Sequence, residues 1–82
     1  MPTVLRFGGY RVVVYPNDHR PEHVHVIGNG HEAVFELNAP NIAVTLRENY
    51  GFSRGDLAKI ERELLEHLSM LLREWERIHG AE

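Results

Sequence analysis

Leu57, Ile60, Leu64, Leu68, Leu71, Trp75 and Ile78 recur at spacings of three and four residues through the last third of the chain. That period predicts one long amphipathic helix with a continuous apolar stripe, broadened by Leu65 and Leu72. Ser53 is a good N-cap, with Asp56 three residues on. Phe52 before the cap and Leu57 at the fourth helical position suit a hydrophobic staple, and Gly80 stops the helix. From Arg54 to His79 such a helix is about 39 Å long. A four-stranded sheet is only about 19 Å wide. A straight helix crossing that sheet leaves Leu71, Trp75 and Ile78 overhanging. Exposed apolar surface of this kind marks an interface, so a partner is expected there, either a second copy or a companion protein.

The rest of the chain reads as strands. Gly8-Gly9 between two apolar runs is a hairpin signal that places Arg6 opposite Arg11 and Leu5 opposite Val12. One face then carries Leu5, Phe7, Tyr10, Val12 and Val14. The other carries Val4, Arg6, Arg11, Val13 and Tyr15. Pro16-Asn17-Asp18 breaks the second strand. Asn29-Gly30 is a stronger hairpin signal, pairing Gly28 with His31, His25 with Val34 and His23 with Glu36. In that register Val24, Val26, Ala33, Phe35 and Leu37 share an apolar face. His23, His25, Ile27, Glu32, Val34 and Glu36 share the other. A slip of one residue mixes Phe35 and Leu37 with the histidines, so the hydrophobic pattern selects the register. A short segment, Ile42 to Leu46, follows the turn Asn38-Ala39-Pro40-Asn41. The expectation is a single α+β domain over residues 1–82. Residues 1–46 form a sheet of two hairpins, about four strands with a fifth in reserve, and 53–79 form one long C-terminal helix.

With 82 residues the core is thin, and a partner subunit would add stability. There is no cysteine, which excludes a disulfide framework or a thiolate site and fits a cytoplasmic location. No apolar run is long enough to span a membrane, and the N-terminus lacks a signal-peptide pattern. The formal net charge of −3 argues against a general nucleic-acid binder. The charge is uneven, however. Arg6, Arg11 and Arg20 outnumber Asp18 and Glu22 in the first 31 residues, whereas acidic groups exceed basic ones in the helix.

Three of the six histidines, His19, His23 and His25, fall within seven residues. Imidazole changes charge near neutral pH and is a common metal ligand. His23 and His25, two apart on a strand, point the same way about 6.6 Å apart. That spacing suits two ligands of a zinc or other divalent ion, with Glu36 or His19 as third. It equally suits a metal-free acid and base acting on RNA, whose own 2′-hydroxyl attacks the adjacent phosphate. In that reading His23, His25 and His19 are the catalytic candidates. Arg6, Arg11 and Arg20 contact phosphate, and Tyr15 stacks or donates a hydrogen bond. Glu36 and Asp18 support the imidazoles. An ordinary solvated sheet face also accommodates all of these residues, with Asp18 and Pro21 merely shaping a turn.

The chain resembles a family of short bacterial proteins known as domain-of-unknown-function family 4160. The resemblance is carried by the opening Met1-Pro2-Thr3-Val4-Leu5-Arg6-Phe7-Gly8-Gly9-Tyr10 and by Asp18-His19-Arg20-Pro21-Glu22-His23-Val24-His25-Val26. Gly51-Phe52-Ser53 before Leu57, and Trp75 near His79-Gly80, complete it. The family motif reads Asp-His-x-Pro-Pro-His-Val-His-Val, so Glu22 replaces a proline. The resemblance implies a bacterial protein encoded beside another small protein, in the manner of a toxin–antitoxin pair. Together, residues and resemblance lead to the expectation of a cytoplasmic toxin–antitoxin-like component that binds or cleaves RNA without a cofactor. A divalent-metal module and a non-catalytic, antitoxin-like partner are the alternatives.

Overall fold

The structure, a computed structural model, describes residues 3–80. Five strands, β1 (Thr3–Phe7), β2 (Tyr10–Val13), β3 (His23–Gly28), β4 (His31–Asn38) and β5 (Ala43–Tyr50), precede two helices, α1 (Arg54–Glu66) and α2 (Leu68–His79). The strands form one antiparallel sheet in sequence order. The class is α+β, as expected, but with five strands rather than four and two helices rather than one.

Both expected hairpins form in the expected registers. Arg6 faces Arg11 and Leu5 faces Val12. Gly28 pairs with His31, His25 with Val34 and His23 with Glu36. Asn29 and Gly30 have φ of 53° and 78°, the left-handed pair that a two-residue hairpin with matching twist requires. The register is therefore written both in the turn and in the apolar pattern. Val12, Val14, Val24, Val26, Ala33, Phe35 and Leu37 are buried against Ile60, Leu64, Leu68, Leu71 and Trp75. Val4 departs from its expected face. The β1–β2 register shifts between Thr3 and Leu5, and Val4 packs against the core.

The fifth strand runs to Tyr50, four residues beyond the expected Leu46. Its pairing shifts between Val34 and Phe35, so that Leu46 meets Phe35 and Glu48 meets Val34, leaving Arg47 as an extra residue. Such a bulge breaks the alternation by which a strand is read from sequence.

The single helix is corrected to two. His67, at φ −107° and ψ 17°, is non-helical and separates α1 from α2. No proline or glycine causes the break. The His67 Nδ1–H bonds the Glu63 carbonyl at 2.9 Å, while its backbone N–H reaches both Glu63 and Leu64 carbonyls at 3.2 Å. A side chain competing for the i−4 carbonyl is one recognised origin of a kink. The consequence is compactness. The principal-axis extents are 35 × 27 × 19 Å, the longest of them below the length of the straight helix. Leu71 and Trp75, expected to overhang, are fully buried in the chain's own core, and Ile78 packs against it.

The helix start is as expected. Ser53 Oγ accepts from Asp56 N at 3.1 Å, and Phe52 and Leu57 both pack into the core. Among the described residues, no helix is long and apolar enough to cross a membrane.

Candidate functional site

β2 stops pairing at Val13, opposite His25, because Pro16 cannot continue a strand ladder. The chain turns back at once. Asp18 N donates to the Tyr15 carbonyl, and Asp18 Oδ2 accepts from Tyr15 N, both at 3.0 Å. These two hydrogen bonds fix the Asp18 carboxylate and aim its other oxygen at the sheet. No β2 residue pairs with His23. The Trp75 ring instead lies 5.3 Å from the His23 ring, centroid to centroid.

Asp18 Oδ1 lies 3.5 Å from His23 Nε2 and 3.4 Å from His25 Nε2. The far sides of both rings are occupied. His23 Nδ1 is 2.9 Å from the Pro21 carbonyl, which can only accept, so Nδ1 carries the hydrogen. His25 Nδ1 is 3.2 Å from Glu32 Oε2, again an acceptor. His25 has a carboxylate oxygen at each nitrogen, so its hydrogen can lie toward Glu32 or toward Asp18 at 3.4 Å. When it lies toward Glu32, both rings turn an Nε2 lone pair toward the same carboxylate oxygen. Three acceptors facing one another repel unless protons or a cation lie between them. The cluster is poorly hydrated: the side chains of His23, His25 and Asp18 are 8%, 16% and 13% exposed.

Asp18 also lines a surface cleft of about 460 Å³, together with Pro16, Asn17, His19, Arg20, Trp75 and His79. Arg20 spans the cleft margin, bonding Glu22 at 2.5 Å and Glu76 of α2 at 2.9 Å. These carboxylates, Glu76 foremost, hold its guanidinium above the usual arginine range. The pair ties the loop bearing Asp18 to α2. The Arg20–Pro21 peptide between them is cis.

The structure brings together only part of the set expected from sequence. His23, His25 and Asp18 converge, and Tyr15 sits edge-on to His25 at 4.7 Å. His19 lies on the cleft wall, outside the trio. Glu36 pairs with His23 across the strands, yet its carboxylate faces Arg47 at 3.9 Å. Asp18, rather than Glu36 or His19, stands beside the two imidazoles. Arg6 and Arg11 line the surface around Gly8-Gly9, at the hairpin end of their strands rather than at the Pro16 turn. Two further residues touch the cluster. Glu32, opposite Ile27, reaches His25 diagonally, a relation implicit in the Asn29-Gly30 register. Trp75 reaches His23 only because α2 departs from α1, which no sequence signal marks.

Fold and cluster together define a small α+β protein with two imidazoles and a carboxylate gathered where a turn folds back on its sheet. A family model described as a domain of unknown function, DUF4160, matches residues 9–76. The chain belongs to that family. No curated protein and no solved structure matches it.

Proposed function

We propose that the protein is a divalent-metal-binding module whose ligands are Asp18, His23 and His25. The observation that carries this reading is the convergence of one donor atom from each residue, all within 4.8 Å of one another. The donor set, two imidazole nitrogens and one carboxylate oxygen, suits zinc or a similar ion and leaves room for a non-protein ligand. The rings are arranged as metal-binding histidines commonly are, with each Nδ1 beside a carbonyl or carboxylate oxygen that can hold its hydrogen and leave Nε2 as the donor. Pro21 and Glu32 provide those partners. A bound ion of this kind supplies a Lewis acid and can activate water. Within the chain, Tyr15 N orients the carboxylate, Trp75 shields His23, and the cleft beside Asp18 gives a small molecule access.

A second reading keeps the imidazoles metal-free, as acid and base on RNA in one half of a toxin–antitoxin-like pair. The observation in its favour is Tyr15, an aromatic ring beside the more exposed histidine, positioned where a base can stack. Against it, both Nε2 atoms address the same oxygen rather than opposite sides of a substrate.

Elemental analysis of protein purified without an affinity tag, followed by zinc titration calorimetry, separates the two. The metal reading expects one ion per chain, lost with His25→Ala. Absence of stoichiometric binding by any first-row divalent ion, with RNA cleavage that persists in chelator, rejects it in favour of the second.

A further inference from the structure

We infer that β5 is the seat of a homodimer, in which two copies pair antiparallel along Thr45–Tyr50 with Arg47 of each opposite Glu48 of the other. β5 is an outer strand of the sheet, and its last six residues are all exposed. Three large exposed hydrophobic residues, Ile42 (72%), Leu46 (39%) and Tyr50 (60%), lie on it or at its entry. A long edge strand with apolar side chains is a template for another strand. The opposite edge, β1, is shorter and interrupted between Thr3 and Leu5.

The bulge at Arg47 decides which strand fits. Leu46 and Asn49 stand opposite Phe35 and Ala33, on the helix side of the sheet. Thr45 and Tyr50 stand opposite Glu36 and Glu32, on the other side. Arg47 and Glu48 both point to that second side, since Arg47 reaches Glu36 and Glu48 accepts from the Tyr50 hydroxyl. The face therefore reverses across the bulge. Directly opposed residues of an antiparallel pair must share a face. For two copies of this strand, pairing Arg47 with Glu48 also pairs Leu46 with Asn49 and Thr45 with Tyr50, and every pair matches. Centring the pairing on Leu46 sets Val44 against Glu48, on opposite faces. Centring it on Glu48 sets like charges together and mismatches Arg47 with Asn49.

Centring on Thr45 also matches faces, but it pairs only residues 43–47 and sets Arg47 against Ala43. The Arg47–Glu48 register pairs all six exposed residues and forms two opposite-charge pairs. Arg47 and Glu48 discourage indiscriminate edge pairing and favour a second copy of this strand. The product is a continuous ten-stranded sheet with all helices on one side.

The absence of cysteine allows a register-specific test on the full chain. Sedimentation velocity from micromolar to sub-millimolar concentration is expected to show a dimer. Arg47→Glu and Glu48→Arg each shift it toward monomer, and the double exchange restores it, with circular dichroism confirming the fold. Under mild oxidation, the Thr45→Cys/Tyr50→Cys double variant forms a covalent dimer and neither single variant does. A monomer throughout the concentration range, failure of the exchange to restore association, or crosslinking by the single variants overturns the proposal.

Discussion

Asp18 Oδ1 stands 3.4 Å from Nε2 of His25, and both atoms are acceptors when the imidazole hydrogen lies on Nδ1 toward Glu32. The contact is held from both sides, by Tyr15 N on the aspartate and by Glu32 on the histidine. With the hydrogen on that side the approach is unfavourable, and a cation between the atoms relieves it. Asp18→Asn tests this with opposite signs. The asparagine carbonyl can keep the Tyr15 N–H bond while its amide donates to Nε2. Metal-free stability is expected to hold or rise by about 0.5–1.5 kcal/mol, the worth of one such bond. The gain from zinc, about 2.7 kcal/mol at a hundredfold excess over Kd, should vanish. Urea denaturation with and without zinc measures both effects. Loss of metal-free stability together with retained stabilisation by zinc contradicts the assignment.

Two glutamates on one sheet face should behave differently. Glu32 holds the His25 ring, whereas Glu36 faces Arg47. Glu32→Ala is expected to weaken zinc binding roughly 10–100-fold, as loss of a ligand's outer partner does. Glu36→Ala should leave it unchanged. Calorimetric titration of both variants is the check, and equal effects would show that the face acts through its overall charge.

That distinction also marks where the sequence could be read and where it could not. Asn29-Gly30 is local chemistry: two residues that tolerate positive φ, flanked by a hydrophobic alternation that agrees with them. The pairing of His25 with Val34, and the shared face of Glu32 and Glu36, follow from that turn alone. What Asp18 touches does not. Its place opposite the histidines depends on a turn whose own bonds aim the carboxylate, and a turn signal specifies a reversal without specifying that aim. The His67 break is similarly hidden, because histidine does not ordinarily interrupt a helix. Here an imidazole-to-carbonyl bond competes with the helical ladder. Once α2 is released, Trp75 leaves the predicted overhang and becomes the wall behind His23. The bulge at Arg47 concealed half of β5 for a simpler reason: it reverses the period by which strands are recognised.

Trp75 has two roles to separate, core packing and support of His23. It is fully buried, and its indole N–H has no partner among the described residues. Trp75→Ala should cost about 3–5 kcal/mol, as large aromatic truncations do. Trp75→Phe retains most of the volume and removes the unpaired donor, so its cost should be much smaller. If Trp75 positions His23, Trp75→Ala weakens zinc binding under conditions where the variant remains folded, and Trp75→Phe largely restores it. Chemical denaturation gives the first comparison, and zinc titration of the folded variants the second.

Asn49 joins the sheet to the helical layer. Its Nδ2 donates to the Phe52 carbonyl and its Oδ1 accepts from Phe52 N, both at 3.0 Å. The two hydrogen bonds close the turn that delivers Ser53 as N-cap. Asn49→Ala leaves both backbone groups without these bonds beside a buried phenyl ring, at an expected cost of about 1–3 kcal/mol. Asn49→Asp keeps the acceptor and loses the donor, so it should fall between Ala and the parent. Denaturant midpoints at unchanged m-value would report this order.

Within the same turn, Gly51 has φ of 107°, a conformation that side chains rarely adopt. A Cβ there would also collide with the His31 imidazole, lying only 3.0 Å from its Cγ. His31 cannot simply swing clear, because its ring packs edge-on against Phe52 at 5.4 Å. Gly51→Ala therefore combines backbone strain of about 1–3 kcal/mol with a steric clash. His31→Ala relieves the clash and leaves the strain. In a double-mutant cycle the pair should be less destabilising than the sum of the single changes, yet Gly51→Ala should remain costly even without the ring. Thermal and urea unfolding of the four proteins would measure the coupling. Full additivity would show that His31 does not confine Gly51, and a harmless Gly51→Ala would show that the turn has another backbone geometry.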